Sequence, residues 1–225
     1  MSAPTVVFDL DGTLIDTAPD LAATLNVVLA REGLAPVPYD IARNMVGAGA
    51  RRMIELALLR AQVTVPRIDL ERMFNDFIAH YAANIADHSK PFPGMTGALD
   101  VLATRGYRLA VCTNKLEGLS RVLLDKLELS ARFAAICGPD TFGMAKPDPE
   151  ILRRTIMQAG GKLDRVVMIG DSVTDVDTAR AAAVPIIAVD FGYNEGPIAK
   201  LAPDRVIGHF DALPGAIAGL LPPGR

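Results

Sequence analysis

The sequence predicts an α/β fold: a parallel sheet with helices on both faces, and a small all-helical domain inserted after the first strand. Three observations carry this. From residue 90 onward, helical segments alternate with short apolar runs, as expected of β–α units in a parallel sheet. Before it, one apolar run, Val6-Val7-Phe8, is followed by no convincing strand between Ile15 and Ile85. Polar residues then cluster just after the apolar runs, where open parallel sheets bind their ligands.

Val6–Phe8 reads as a buried strand delivering Asp9 and Asp11. Side chains two apart on an extended chain share a side, so both carboxylates can face one site. Gly12 permits a sharp turn. Asp16 or Thr17 can cap the next helix, which carries Pro19 in its first turn and Leu21, Leu25, Val28 and Leu29 at helical spacing up to Gly33. Helical patterns continue over Tyr39–Val46, Arg51–Ala61 and Asp69–Ile85. Residues 16–87 therefore read as the helical insert, and residues 1–15 and 88–225 as the α/β core.

Lys90-Pro91-Phe92-Pro93-Gly94 is a proline-rich connector. Beyond it, helix Met95–Arg105 precedes strand Tyr107–Cys112, and Leu116–Leu127 precedes Ala134–Cys137. Ile151–Ala159 precedes Val166–Ile169, and Thr174–Ala183 precedes Pro185–Val189. A weaker strand at Arg205–Ile207 and a helix near Leu213–Leu221 close the chain.

Composition narrows the function classes. Half of the 225 residues are hydrophobic and the formal net charge is −3. Neither nucleic acid nor an anionic membrane surface is an expected partner of such a chain. No signal-like or bilayer-length apolar segment is visible. Cys112 and Cys137 fall in expected buried strands and read as reduced core residues of a cytoplasmic protein.

The residues after each strand carry the chemistry. Asp9 and Asp11 follow the first; Thr113-Asn114-Lys115 follow Cys112; Gly170-Asp171-Ser172 follow Ile169, with Asp175 four residues past Asp171. Lys146-Pro147-Asp148-Pro149 precedes another core helix. Taken singly, each has a structural reading: Thr113-Asn114 as a helix cap, Lys146 as a solvated charge, Asp171 as an Asx turn. Taken together, four aspartates, a hydroxyl and a lysine meet over one sheet edge. Four clustered carboxylates are strongly destabilising without a cation, and Mg²⁺ suits an all-oxygen site with phosphate and water. Zinc does not, because His80, His88 and His209 lie outside the cluster.

Asp-Leu-Asp-Gly-Thr-Leu, Cys-Thr-Asn, Lys-Pro-Asp-Pro and Gly-Asp-Ser-x-x-Asp, in this order, resemble the four motifs of the haloacid dehalogenase superfamily. The resemblance implies a Rossmann-like core with a helical cap, Asp9 as nucleophile, and Asp11 as the acid and base partner. A neighbouring carboxylate would favour the protonated form that this role requires of Asp11. It further implies Mg²⁺ at Asp9, Asp171 and the Asp11 carbonyl, with Asp175 orienting or joining that shell. Thr113 and the Asn114 N–H would bind phosphate, and Lys146 would neutralise Asp9 and the phosphate. The second aspartate favours phosphoryl transfer over carbon–halogen cleavage.

Val-Gly-x-Gly at 46–49, Phe-Pro-Gly-Met at 92–95, Thr-Asn-Lys at 113–115 and Phe-Gly-Tyr-Asn at 191–194 resemble phosphoglycolate phosphatases. The substrate implied is 2-phosphoglycolate, handled by a monomer or homodimer, with Gly49, Arg51 and Arg52 as candidate carboxylate readers. A simple helix–helix turn with solvated arginines is the other reading of that segment. Sugar phosphates, amino-sugar phosphates and pyrophosphate are alternative substrates, and a β-phosphoglucomutase-like phosphomutase is an alternative activity. Two rivals come from other classes. A phospho-acceptor receiver module shares an acidic cluster, Thr and Lys but has no helical insert. A serine esterase would use Ser172 with His209. The Gly160-Gly161-Lys162 stretch lacks the upstream glycine of a P-loop, position 156 being Ile.

Overall fold

The computed structural model describes residues 3–194 and 196–221. Its strands, in chain order, are β1 (Thr5–Phe8), β2 (Ile15–Asp16), β3 (Lys90–Pro91), β4 (Arg108–Cys112), β5 (Ala135–Cys137), β6 (Val166–Gly170), β7 (Ile186–Val189) and β8 (Arg205–Ile207). The insert helices are α1 (Ala18–Arg31), α2 (Tyr39–Arg43), α3 (Ala50–Arg60) and α4 (Arg67–Ala83). The rest are α5 (Met95–Thr104), α6 (Glu117–Lys126), α7 (Pro139–Phe142), α8 (Pro149–Gln158), α9 (Val173–Ala181) and α10 (Leu213–Leu220).

Six strands form one sheet in the order β5-β4-β1-β6-β7-β8, with every pairing parallel. Strand β1 lies in the middle, paired with β4 and β6. Chain order reverses on either side of it, which is where a crevice opens at the carboxyl ends of the strands.

The alternation of side chains along β1 divides the core between two faces. Val6 and Phe8 join the cluster containing Leu99, Leu102, Leu123 and Ile217, from α5, α6 and α10. Val7 turns to the opposite cluster with Ile151, Ile156, Val176 and Ala179, from α8 and α9. Burial on both faces explains why these strands read as continuous apolar runs. Cys112 and Cys137 are register partners on the α8 face, both buried and both free thiols.

The apolar interior of the insert is continuous with the core on the α5 face of the sheet. Leu25, Leu29, Met53, Ile54, Met73 and Phe77 are almost wholly buried, each worth about 1.5–3 kcal/mol relative to an exposed position. Arg67 opens α4 two residues earlier than the sequence pattern predicts, directly after Pro66. The expected helix at 39–46 stops at Arg43, and a 3₁₀ turn covers Val46–Ala48.

The proline-rich connector is more ordered than its composition predicts. Lys90 and Pro91 pair antiparallel with Asp16 and Ile15, so the two chain passages into the insert form a short ribbon. Asp20 fastens it: its carboxylate accepts from the Ser89 N–H at 2.8 Å, the Ser89 hydroxyl at 2.6 Å and the His88 N–H. The start of α1 is also capped differently from expectation. Neither Asp16 nor Thr17 supplies a side-chain cap. The Tyr193 hydroxyl accepts from the Thr17 and Ala18 N–H groups at 2.7 and 2.9 Å and donates to Asp16.

Candidate active site

Asp9 follows β1 directly and is 6% exposed. Its Oδ1 accepts from the Leu10 N–H at 2.7 Å and lies 2.8 Å from Lys146 Nζ. Both interactions fall on Oδ1, which leaves Oδ2 unengaged among the described residues. Lys146 also donates to Asp175 Oδ1 at 2.6 Å. Burial alone would discharge this lysine, but its two carboxylate partners push its affinity for a proton well above the ordinary lysine value.

Asp171, at the end of β6, accepts from the Thr13 hydroxyl and the Tyr193 N–H, each at 2.8 Å. Gly12 has φ +85°, and a Cβ there would collide with this carboxylate; the turn after β1 needs glycine for close approach as well as for its backbone angle. Asp175 sits in the first turn of α9 and builds a capping box with Ser172. Its Oδ2 accepts from the Asp171 and Ser172 N–H groups and from the Ser172 hydroxyl. With Lys146 on its other oxygen, Asp175 is saturated and acts as a strut for Lys146 and the 170–172 turn.

Oxygens of Asp9, Asp171 and Asp175 lie within 4.8 Å of one another, all buried. Burial, followed by the opposing pull of Lys146 and the repulsion of Asp175, raises the Asp9 carboxyl to about 7. Burial and repulsion from Asp175 and Asp9 raise Asp171 to about 8. These are carboxylates short of positive charge. The donor set is all oxygen, and the four aspartates outnumber the two buried lysines beside them, Lys146 and Lys115, by two charges. One divalent cation closes that difference, so the residues fit a hard metal ion. Asp175 takes four donors, the Lys146 ammonium among them, whereas Asp171 takes one neutral donor on each oxygen and Asp9 keeps Oδ2 clear; Asp9 and Asp171 are therefore the better-placed side-chain ligands.

Asp11 departs most from the sequence picture. From sequence its neighbours are carboxylates; in the fold its partners are Lys115 Nζ, 2.9 Å from both carboxylate oxygens, and the Thr17 hydroxyl at 2.7 Å. Lys115 is 8% exposed, and its ammonium lies 4.6 Å from the centre of the Tyr81 ring. Neither Lys115 nor Tyr81 is singled out chemically by the sequence reading. Their signals are the Thr-Asn-Lys stretch at 113–115, which puts Lys115 two residues past Thr113 at a strand end, and a polar hydroxyl on the buried stripe of α4.

Thr113 is buried at the end of β4, and its hydroxyl accepts from the Lys115 N–H. Asn114 does not cap a helix: its side chain accepts from the Lys146 N–H at 2.9 Å and donates to the Lys146 carbonyl. That pair fixes the loop from which Lys146 reaches Asp9. A cavity of about 360 Å³ opens over this edge, with Asp9, Asp11, Thr113 and Lys115 on its floor and Met53, Phe77 and Tyr81 of the insert among its walls.

The candidate carboxylate readers divide. Gly49 and Arg51 line the cavity, but the Arg51 guanidinium makes a two-point pair with Glu71 at 3.0 and 2.8 Å. Arg52 is not among the lining residues; it pairs with Glu55 at 3.0 Å and is 53% exposed. The esterase rival finds no support, since Ser172 is spent on Asp175 and His209 pairs with Asp211. The receiver rival lacks the four-helix insert that walls this cavity.

Comparison with known proteins agrees with this architecture. The family described as haloacid dehalogenase-like hydrolase matches residues 6–189. A phosphoglycolate phosphatase of Agrobacterium fabrum is 47% identical over 215 residues, covering 96% of this chain and 92% of that protein. One from Mesorhizobium japonicum is 48% identical, covering 95% and 94%. A crystal structure from Haemophilus somnus, described as a predicted phosphoglycolate phosphatase, superposes with a TM-score of 0.85 at 26% identity, covering 95% and 97%. With a family match over most of its length and near-full-length relatives of this similarity, the chain belongs to the haloacid dehalogenase-like hydrolases.

Proposed function

We propose that this protein is a Mg²⁺-dependent phosphate monoester hydrolase that cleaves 2-phosphoglycolate to glycolate and phosphate through an aspartyl-phosphate on Asp9. The observation that carries the chemistry is Asp9 itself: a buried carboxylate with one oxygen held by Lys146 and Leu10 and the other unengaged, beside a cavity that also exposes Asp11 and Thr113. The substrate follows from the relatives, several of which carry the name phosphoglycolate phosphatase at 46–48% identity over nearly the full chain.

In this reading the free oxygen of Asp9 attacks phosphorus, and the bond from phosphorus to the ester oxygen breaks as the new one forms. Asp11, ion-paired with Lys115 in the structure, takes up a proton from solvent as substrate binds and gives it to the departing glycolate oxygen. It then takes a proton from water, which attacks the aspartyl-phosphate, releases phosphate and restores Asp9. The Thr113 hydroxyl and the Asn114 N–H receive phosphate oxygens. Lys146 keeps Asp9 and the phosphate from repelling each other. Mg²⁺, held by the Asp9 and Asp171 carboxylates and the Asp11 carbonyl with Asp175 behind them, would supply further positive charge against the phosphate. Helices α1–α4 form a cap whose closure excludes water from the intermediate.

We place the protein in the cytoplasm, as a monomer or homodimer. Its two cysteines are buried free thiols, and among the described residues no helix is long and apolar enough to cross a membrane.

Phosphate release from 2-phosphoglycolate, a hexose phosphate, an amino-sugar phosphate and pyrophosphate tests the assignment. The expected result is the highest kcat/KM on 2-phosphoglycolate, abolished by chelation and restored by Mg²⁺. A higher value on any other member of the panel would replace the substrate, and turnover insensitive to chelation would remove the metal.

A further inference from the structure

The proposed substrate has two anionic ends, and the groups described above account for only one of them. Phosphate is met by Asp9, Thr113, Lys146 and the metal; a partner for the carboxylate has to come from the same cavity. Among its described lining residues two side chains are cationic, Arg51 and Lys115. Arg51 already spends two nitrogens on Glu71 and is 40% exposed at its side chain. Lys115 is buried against Asp11 and the Tyr81 ring.

Tyr81 supplies an independent observation. It is 1% exposed, lines the cavity, and its hydroxyl has no hydrogen-bond partner among the described residues. Lys115 bears on the phenol by charge and by a close side-chain contact, but no hydrogen bond of normal length and angle reaches the hydroxyl among the described residues. A buried polar group without a partner in a native site calls for an explanation, and a ligand is one. The remaining walls near it, Met53, Phe74, Phe77, Ile78 and Leu119, offer no polar side chain.

We propose that Lys115 and Tyr81 together read the carboxylate of the substrate, an inference that rests on the 2-phosphoglycolate assignment. Lys115 is held in readiness by Asp11. An incoming carboxylate takes the ammonium as its partner and accepts a hydrogen bond from the Tyr81 hydroxyl, which has no other partner among the described residues. The spacing suits a short substrate. Only the ester oxygen and one methylene separate phosphorus from the carboxylate carbon, and Asp11, the residue that serves the ester oxygen, is itself in contact with Lys115. An ester with no carboxylate leaves Lys115 on Asp11.

The test is the ratio of kcat/KM for 2-phosphoglycolate to that for ethyl phosphate, which has the same ester link and no carboxylate. In Lys115→Met this ratio should fall by ~30-fold or more, the scale of losing one partner of a buried charge pair. In Tyr81→Phe, which keeps the ring and removes only the hydroxyl, it should fall by about 3- to 10-fold, chiefly through KM. Circular dichroism reports whether Lys115→Met folds; if it does not, Tyr81→Phe decides alone. A wild-type preference for 2-phosphoglycolate that survives in the folded variants overturns the carboxylate site and leaves the substrate standing. A wild-type enzyme with no such preference overturns both.

Discussion

The carboxyl edge of the sheet and the helical insert above it are built on opposite rules. At the edge, Asp9, Asp171, Asp175 and Lys146 are buried polar groups held by named partners at 2.6–2.8 Å. In the insert, the buried side chains are mostly apolar and fitted to one another, as Leu25, Ile54, Met73 and Phe77 are, with Thr17, Asp20 and Thr24 as buried polar exceptions. Charge pairs fix geometry at the cost of desolvation, so they are worth having where atoms must be aimed. Apolar packing is non-directional and fixes a shape without aiming any one polar atom. On the proposed function, chemistry resides on the sheet, and substrate selection where the insert meets it, at Tyr81 and Lys115.

The contrast can be broken hardest at Asp9. Asp9→Asn keeps the size and removes the nucleophile; kcat should fall by on the order of 10⁴-fold or more while circular dichroism stays unchanged. Turnover near wild type would take the chemistry away from the sheet edge. The opposite region should answer in stability. Leu25→Ala removes a fully buried side chain from α1 and should cost about 2–5 kcal/mol in urea unfolding; a loss below ~1 kcal/mol would mean that the insert is not held by its packing. Asp171→Asn comes next, raising the Mg²⁺ concentration for half-maximal rate by at least ~10- to 100-fold, a loss that even outer partners of metal ligands can produce. An unchanged Mg²⁺ titration would leave Asp171 no part in binding the ion.

A pH series sharpens the same point. Asp9 and Asp171 are raised above the unfolded carboxylate value, to about 7 and about 8. In the metal-free protein the folded state therefore holds more protons than the unfolded one between about pH 4 and 8, and stability falls as pH rises through that window. Mg²⁺ should reverse the loss, raising Tm more at pH 8 than at pH 6. At 100 times its Kd the ion contributes about 2.7 kcal/mol. Equal Mg²⁺ shifts at both pH values would show that these carboxylates do not hold it. The smallest effect belongs to Arg52→Ala: an exposed pair with Glu55 is worth about 0–1 kcal/mol, and kcat/KM on 2-phosphoglycolate should stay within about twofold.

Much of the sheet was legible because its strands are buried on both faces and so stand out as apolar runs; Arg205–Ile207 was placed to the residue. The ribbon of Ile15–Asp16 with Lys90–Pro91 was not legible, because two-residue strands carry no periodicity and their pairing joins residues some seventy-five apart. The capping of α1 was misplaced for a related reason. Asp16 and Thr17 are good local caps, but Tyr193, distant in sequence, arrives with a hydroxyl that serves both N–H groups, and tertiary contact overrides local preference.

What the sequence determined by itself was the set of residues at the strand ends, since a parallel sheet points every carboxyl end the same way. Asp9, Asp11, Thr113, Asp171 and Asp175 follow from that rule and from their spacing, and Lys146 from the Lys-Pro-Asp-Pro stretch that precedes a core helix. What only the tertiary structure decided was which of them bond to which. Lys146 bridges Asp9 and Asp175, Asp175 is used up as a strut, and Asp11 rests on Lys115. Hydrogen bonds act over about 3 Å, and no pattern of types along the chain specifies distances that fine between residues a hundred positions apart.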